Sequence, residues 1–196
     1  MIKTTTMLVQ ELSSYENPNA KIRLLVKQGT LIPIIRGIYE TDRNVPGYYL
    51  APIIYGPSYL SFEFALSFHS LIPEAVYNFK SATFEKKKKK RYDTPFGVFL
   101  YQDVPSDVYP LGVEIHSKNG YGFMVATPAK AICDTLYTIS PLKNIRQLEY
   151  LLFDDLRIDQ DEFLKIDRQE MVDLASHYHT KNHSLLIKYI RKDNKI

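Results

Sequence analysis

Asn17-Pro-Asn-Ala-Lys-Ile-Arg-Leu-Leu-Val-Lys-Gln-Gly-Thr-Leu-Ile-Pro-Ile-Ile-Arg-Gly-Ile-Tyr39 reads as a basic helix, a glycine stop and a short hairpin. Asn17 and Asn19 are helix-start residues, and Pro18 suits a first turn, where no amide donor is needed. Ile22, Leu25 and Val26 recur at i, i+3 and i+4 and predict one buried stripe. The opposite face carries Asn17, Ala20, Leu24, Lys27 and Gln28, with Lys21 and Arg23 at its flanks. Gly29 follows the last periodic residue, where a left-handed C-terminal cap needs it. Residues 30–35 and 38–41 are β-rich, and Arg36-Gly37 between them is a turn signal. A helix with a small, polar, basic outer face followed by a two-stranded wing is what a winged helix-turn-helix presents to DNA. On this reading Lys21, Arg23, Lys27 and Gln28 face the groove, Asn17 lies near its edge, and Arg36 reaches the backbone from the wing.

Upstream, Thr6 is expected to cap a short helix over residues 7–12 that ends before Ser13-Ser14. Two helices and a wing therefore fit within the first 42 residues. The polar, Pro- and Gly-broken stretch Arg43-Asn-Val-Pro-Gly47 is the expected boundary. The predicted division is a winged helix-turn-helix DNA-binding domain at 1–45 and an α+β domain at 46–196.

In the second part, residues 48–55 are apolar enough for a helix or a strand, and 56–61 read as a turn. A helix over 62–71 is expected, capped by Ser58 or Ser61 and stopped by Pro73. Strands are expected at 76–84, 96–101, 113–116 and 121–126. Thr127-Pro-Ala-Lys130 is a good helix start, and further helices are read at 144–153, from 159, at 168–178 and at 184–192. The fold class is thus α+β: a winged helix-turn-helix, then a mixed β and helical region, then a helical C-terminal part.

The chain has 196 residues, 45% of them hydrophobic, which supports a sizeable core and argues against global disorder. Its net charge of +3 does not by itself announce a nucleic-acid binder. The distribution is more telling, with seven basic and three acidic residues at 74–93 against three basic and eight acidic at 150–175. The run Lys86, Lys87, Lys88, Lys89, Lys90 and Arg91 reads as a phosphate-contacting loop or as a solvated loop guarding a β edge. Asp154, Asp155 and Asp159 read as a docking face for a basic partner or as solvated helix starts. The single Cys133 excludes an internal disulfide and reads as a buried thiol in a reducing compartment. No apolar run is long enough for a membrane span, and the amino-terminal residues lack a signal-peptide core, so a cytoplasmic protein is expected.

Catalytic signatures are sparse. His177, His179 and His183 lack a completing cysteine or glutamate, so no metal site is read from them. Asp103 or Asp107 followed by Glu114-Ile-His116 is a faint approach to a nuclease metal motif, with histidine where lysine belongs. Eight glycines include no phosphate-binding loop, and there is no nucleophile elbow. No enzyme and no cofactor are expected.

Leu25-Val-Lys-Gln-Gly-Thr-Leu-Ile-Pro-Ile-Ile-Arg-Gly-Ile-Tyr39 resembles the N-terminal winged-helix signature of the AbiEi-type abortive-infection antitoxins. Gly56-Pro-Ser-Tyr-Leu-Ser-Phe-Glu-Phe-Ala-Leu66 with Leu71-Ile-Pro-Glu74 resembles the block that follows it. Thr127-Pro-Ala-Lys-Ala-Ile-Cys-Asp-Thr-Leu-Tyr137 resembles the helix opening the family's C-terminal part. The blocks occur in family order and span roughly residues 5–190. The resemblance implies a component of a type IV toxin–antitoxin system. Its winged helix is expected to bind operator DNA upstream of its own operon, and its C-terminal part to counter a nucleotidyltransferase-like toxin. The lysine run and the acidic segment depart from the family pattern. The two alternatives are a protein-binding module that docks a toxin without binding DNA, and a metal-dependent nuclease.

Overall fold

The computed structural model describes residues 1–193, so the last three residues of the expected 46–196 region lie outside the described residues. Strand β1 (Ile2–Thr4) leads into helix α1 (Thr5–Glu11), and helix α2 (Pro18–Lys27) precedes strands β2 (Ile32–Ile35) and β3 (Ile38–Glu40). The three strands form an antiparallel sheet in the order β1-β3-β2. Asn17 caps α2 by accepting from Ala20 N, and Gly29 and Gly37 adopt φ of +75° and +82° at the helix stop and the hairpin turn. Leu8, Ile22 and Leu31 make a small core of their own, with Leu25, Val26 and Tyr39 packed around it. This is the winged helix-turn-helix arrangement expected from residues 17–39. The first helix starts earlier than Thr6, because pairing of β1 with β3 holds Thr4 extended and its hydroxyl accepts from Met7 N.

A 3-10 turn (Gly47–Leu50) and helix α3 (Ala51–Ile54) follow. Gly47 is dictated by contact, since a Cβ there would lie 2.3 Å from the Phe79 ring and 2.4 Å from Phe96 O. Six strands then build the main sheet: β4 (Tyr59–Leu60), β5 (Asn78–Thr83), β6 (Lys90–Thr94), β7 (Gly97–Asp103), β8 (Val113–Lys118) and β9 (Tyr121–Ala126). Their order is β6-β7-β5-β4-β9-β8, with β5–β7 and β4–β9 parallel. Helix α4 (Phe62–Phe68) packs against β5 and against α5 (Pro128–Thr138). The chain ends in α6 (Ile145–Tyr150), a π-helical turn (Leu151–Asp155), α7 (Gln160–Lys165), α8 (Arg168–Ser176) and α9 (Lys181–Asp193).

Several local expectations are corrected. β4 forms inside the stretch read as a turn, and β6 begins inside the lysine run. β4 pairs with β5 and β9, far along the chain, while β6 forms a tight hairpin with β7. Ser61 stands at the start of α4, yet its hydroxyl makes no cap and goes to Asp134 instead. The last helix, expected from residue 184, begins at Lys181, so Asn182 and His183 lie in the first turn of α9. The Asn182 amide donates to the carbonyls of Leu136 and Ile139 and accepts from Leu142 N, so it closes the end of α5.

The larger core runs from Ile34 of the wing to Ile190 of α9. At its centre is a buried polar cluster. Asp134 of α5 accepts from Tyr59 (2.9 Å) and Ser61 (2.6 Å) at one carboxylate oxygen and from Tyr178 at the other. Lys130, one turn earlier on the same helix, donates to Val108 O (2.6 Å) and to the Tyr178 hydroxyl (2.7 Å), 3.4 Å from Asp134. All these side chains are buried. Burial pushes the Lys130 ammonium down from its usual range, against the pull of Asp134. Burial first, and then the Asp134 charge, push the Tyr59 and Tyr178 hydroxyls up, so both stay protonated donors. His183 stacks on Tyr178 at 4.2 Å, donates from Nε2 to Cys133 O (2.9 Å) and receives the Thr180 hydroxyl at Nδ1 (2.7 Å). The Cys133 carbonyl fixes Nε2 as a donor, and burial, which disfavours the imidazolium, leaves Nδ1 to accept from the Thr180 hydroxyl.

Removing Asp134 strands a buried ammonium, so Asp134→Ala should lower stability by about 3–5 kcal/mol, read as a shift of the urea midpoint. Adding Lys130→Met to that variant should restore part of the loss. Burial also pushes the His183 imidazole down from 6.5 to about 4. Between those values the unfolded chain binds a proton that the folded one refuses, so stability is full above about pH 6.5 and falls as the pH drops toward 4. A series of urea midpoints should show this slope, and His183→Gln should remove the part between pH 6.5 and 5.

Candidate nucleic-acid interface

The residues expected to meet DNA stand on two elements of the N-terminal unit. On α2, Arg23, Lys27 and Gln28 are exposed, with Ala20 and Leu24 between them, while Ile22 is buried beneath. Leu24 is 44% exposed, an unusual apolar centre for a basic face. Lys21 is half-buried and carries its ammonium 4.9 Å from the centre of the Tyr15 ring, which ties it to the turn before α2. Asn17 is exposed, but its side-chain oxygen is spent on the helix cap. Arg36 is exposed at the tip of the β2–β3 hairpin, held there by Gly37 and by the contact of Thr5 N with Gly37 O (2.9 Å).

The wing is fastened to the main sheet through Glu40, which is fully buried. Its carboxylate accepts from the Met1 amino nitrogen, from Thr41 N and Asp42 N, and from the Tyr121 hydroxyl of β9 (2.8 Å). Burial works against its ionisation, but these hydrogen bonds together hold the carboxyl below the usual range. The same contacts, after burial, push the Tyr121 hydroxyl up. Glu40 was not singled out by any local signal. Only its placement beside Tyr121, 81 residues away, gives it a role.

The lysine run is neither a free loop nor one uniform patch. Lys86 is half-buried, with its ammonium on Gly56 O (3.2 Å) and 5.3 Å from the Tyr55 ring centre. Asp103 at the end of β7 pins the loop by accepting from Lys87 N and the Thr83 hydroxyl, each at 2.6 Å. Glu85 and Lys87 both adopt left-handed backbone, at φ of 54° and 57°. Each such residue without glycine's freedom costs on the order of 1–3 kcal/mol, so the loop holds a defined shape. Lys87, Lys88 and Lys89 are exposed, Lys90 is half-buried, and Arg91 is exposed in a two-pronged pair with Asp93 (2.7 and 2.9 Å). Wing strand β2 touches β6, so the strand that begins with Lys90 and Arg91 lies beside the wing.

The acidic residues are separated in role. Asp159 caps α7 by accepting from Glu162 N, while Asp154 and Asp155 are exposed on the π-helical turn. Asp154 lines a groove of about 480 Å³ between that turn, α7 and α9, together with Glu149, Tyr150, Leu164 and Tyr189. The candidate nuclease residues are not brought together. Asp103 on β7 and Glu114 on β8 stand four strands apart, about 19 Å at the ordinary strand spacing. Glu114 pairs instead with His116 beside it. Among the described residues no three or more His, Cys, Asp or Glu side chains are grouped to hold a metal ion. Burial pushes the Cys133 thiol up and leaves it unreactive. No helix among the described residues is long and apolar enough to cross a membrane.

No protein-family model matches this chain, and no curated protein matches it. Among solved structures, the crystal structure of the RV2827C protein from Mycobacterium tuberculosis is similar, with a TM-score of 0.59 at 15% identity. The match covers 97% of this chain and 72% of that one. At that identity the likeness is one of fold, and it extends over both the winged unit and the six-stranded sheet.

Proposed function

We propose that this protein is a DNA-binding antitoxin and transcriptional autorepressor of a type IV toxin–antitoxin operon. The observation that carries the DNA-binding part is the outer face of α2. Arg23, Leu24, Lys27 and Gln28 are exposed together on a helix whose other side is buried, and the Arg36 hairpin stands beyond it. Such a helix fits the major groove. There Gln28 and Arg23 can read base edges, and Leu24 can meet a thymine methyl. Arg36, Lys21 and the exposed Lys87–Lys89 contribute phosphate contacts, which position the protein without reading sequence. The antitoxin part rests on the resemblance of three ordered sequence blocks to the AbiEi-type family, and operator DNA and a nucleotidyltransferase-like toxin are the partners it implies.

A second reading, a module that docks a toxin without DNA, is favoured by one feature. The groove beside Asp154 presents a 59% exposed Tyr150 and a 52% exposed Leu164 with Glu149 and Asp154 on its lining beside Arg146, an apolar anchor site with two acids for a basic partner. Asp159 is excluded from that face by its capping role.

The deciding measurement is fluorescence anisotropy with DNA from upstream of the gene, against scrambled DNA, across a salt series. Binding about a thousandfold tighter than to scrambled DNA is expected. Arg36→Ala should lower the slope of log K against log salt by about 0.9, as loss of one phosphate contact does. Lys27→Glu should weaken operator binding. Full binding by that variant overturns the α2 assignment, and no binding to either DNA leaves the docking module as the better reading.

A further inference from the structure

The open face of the main sheet beside the lysine loop has a shape that DNA attraction does not explain. Register places Lys80 of β5, Leu100 of β7 and Arg91 of β6 in one row, and Gln102 next to Leu100 on the same face. The other face of these strands is core, with Phe99 and Tyr101 buried and the Tyr101 hydroxyl on Ala51 O. Helices α4 and α5 cover the middle of the sheet, and α4 reaches this corner only with Phe62 and Glu63, whose carboxylate pairs with Lys80.

Beyond that helical layer lie two adjoining cavities. The inner one, about 340 Å³, is lined by Leu100, Lys80, Lys90 and Arg91, with the buried Phe62 and Tyr101 behind them. The outer one, about 330 Å³, is lined by Lys87, Lys88, Tyr137 and Thr138. Lys89 and Gln102 line both, so the two form one trough. Among the described residues no carboxylate comes within ion-pair distance of Lys87, Lys88, Lys89 or Lys90. Asp103, at the floor of the outer cavity, is already committed to Lys87 N and Thr83. A pinned loop thus holds several uncompensated ammonium groups around a cleft of ligand size, with an apolar bed at its inner end.

We infer that this trough binds a nucleoside phosphate, with the phosphates among Lys87, Lys88 and Lys89 and the base against the half-buried Leu100. The cations alone would suit any small polyanion. The apolar inner chamber and the shared Gln102 amide add what an inorganic anion cannot use: a surface for a planar base and a group that can pair with its edge. Such a ligand can come from a free nucleotide or from a single strand of nucleic acid, and the chemistry of the site is common to both. The inference does not rest on the α2 assignment, because none of these residues lies on α2 or in the wing, although Lys87–Lys89 are shared with the phosphate contacts proposed above.

Isothermal titration calorimetry on the full chain tests it with three probes: ATP, inorganic tripolyphosphate and a thymidine tetranucleotide. One ATP site per chain is expected, with tripolyphosphate about tenfold weaker. Lys89→Glu, on an exposed loop residue, should weaken ATP by about tenfold or more, the worth of a charge-assisted contact. Thermal unfolding of that variant should match the parent. Lys27→Glu on α2 should leave ATP binding unchanged even where it abolishes operator binding, so the two readings fail separately. A tetranucleotide that competes with ATP and binds tighter identifies a nucleic-acid strand as the source, and one that binds weaker identifies a free nucleotide. Binding of neither ATP nor the tetranucleotide overturns the inference. So does tripolyphosphate matching ATP, or a Lys89→Glu variant that binds ATP as the parent does.

Discussion

The carboxylate of Asp134 holds together segments that lie far apart in the chain. It takes hydroxyl protons from Tyr59 and Ser61 of the β4 region and from Tyr178 at the α8–α9 corner, while Lys130 on its own helix reaches back to Val108 before β8. A buried ion pair is a poor source of net stability, since desolvation cancels much of the attraction. Its effect is on specificity. A shift of α5 by one register would take Lys130 and Asp134 away from these partners and leave both charges unpaired in the core, which disfavours such a seating. Helices α4, α8 and α9 and strand β9 all pack against α5, so their positions follow its seating.

The winged unit is joined to the sheet by a second buried carboxylate. Its own core is small, formed around Leu8, Ile22 and Leu31, and would give little stability alone. Glu40 ties β3 to Tyr121 of β9, Ile34 and Val45 enter the main core, and Tyr49 stacks on Tyr121 at 5.4 Å. The orientation of α2 and of the Arg36 hairpin is therefore set by the larger body. A helix meant to enter a groove gains from being held in this way, because less freedom is lost when it docks.

Charge is laid out in two regions. The exposed cations of α2, the wing and the lysine loop fall in the first half of the chain, and β2 touches β6 so that wing and lysine strand adjoin. The acids of residues 150–175 gather around the π-helical turn, α7 and α8, where most of them serve as caps or first-turn residues. Asp154, on the rim of the groove beside α9, is among those with no capping duty.

What the sequence determined by itself was whatever neighbouring residues decide among themselves. The stripe Ile22, Leu25 and Val26, the Asn17 cap, the Gly29 stop and the Arg36-Gly37 turn are local, and they specify α2 and its hairpin as found. Thr127-Pro128 likewise starts α5, and the strand expected at 121–126 is found as β9. Tertiary structure decided the rest. Strands β1, β4 and β6 are two to five residues long, too short for periodicity to reveal, and exist through their pairing with longer or neighbouring strands. The fate of polar side chains is equally non-local. Ser61 left the cap it was expected to make for Asp134, 73 residues away, and the lysine run became a pinned loop and a strand because Asp103 was there to hold it. A hydrogen bond in a dry core is worth more than one in water, so the buried partner wins over the local one, and that partner is chosen only when the chain has folded.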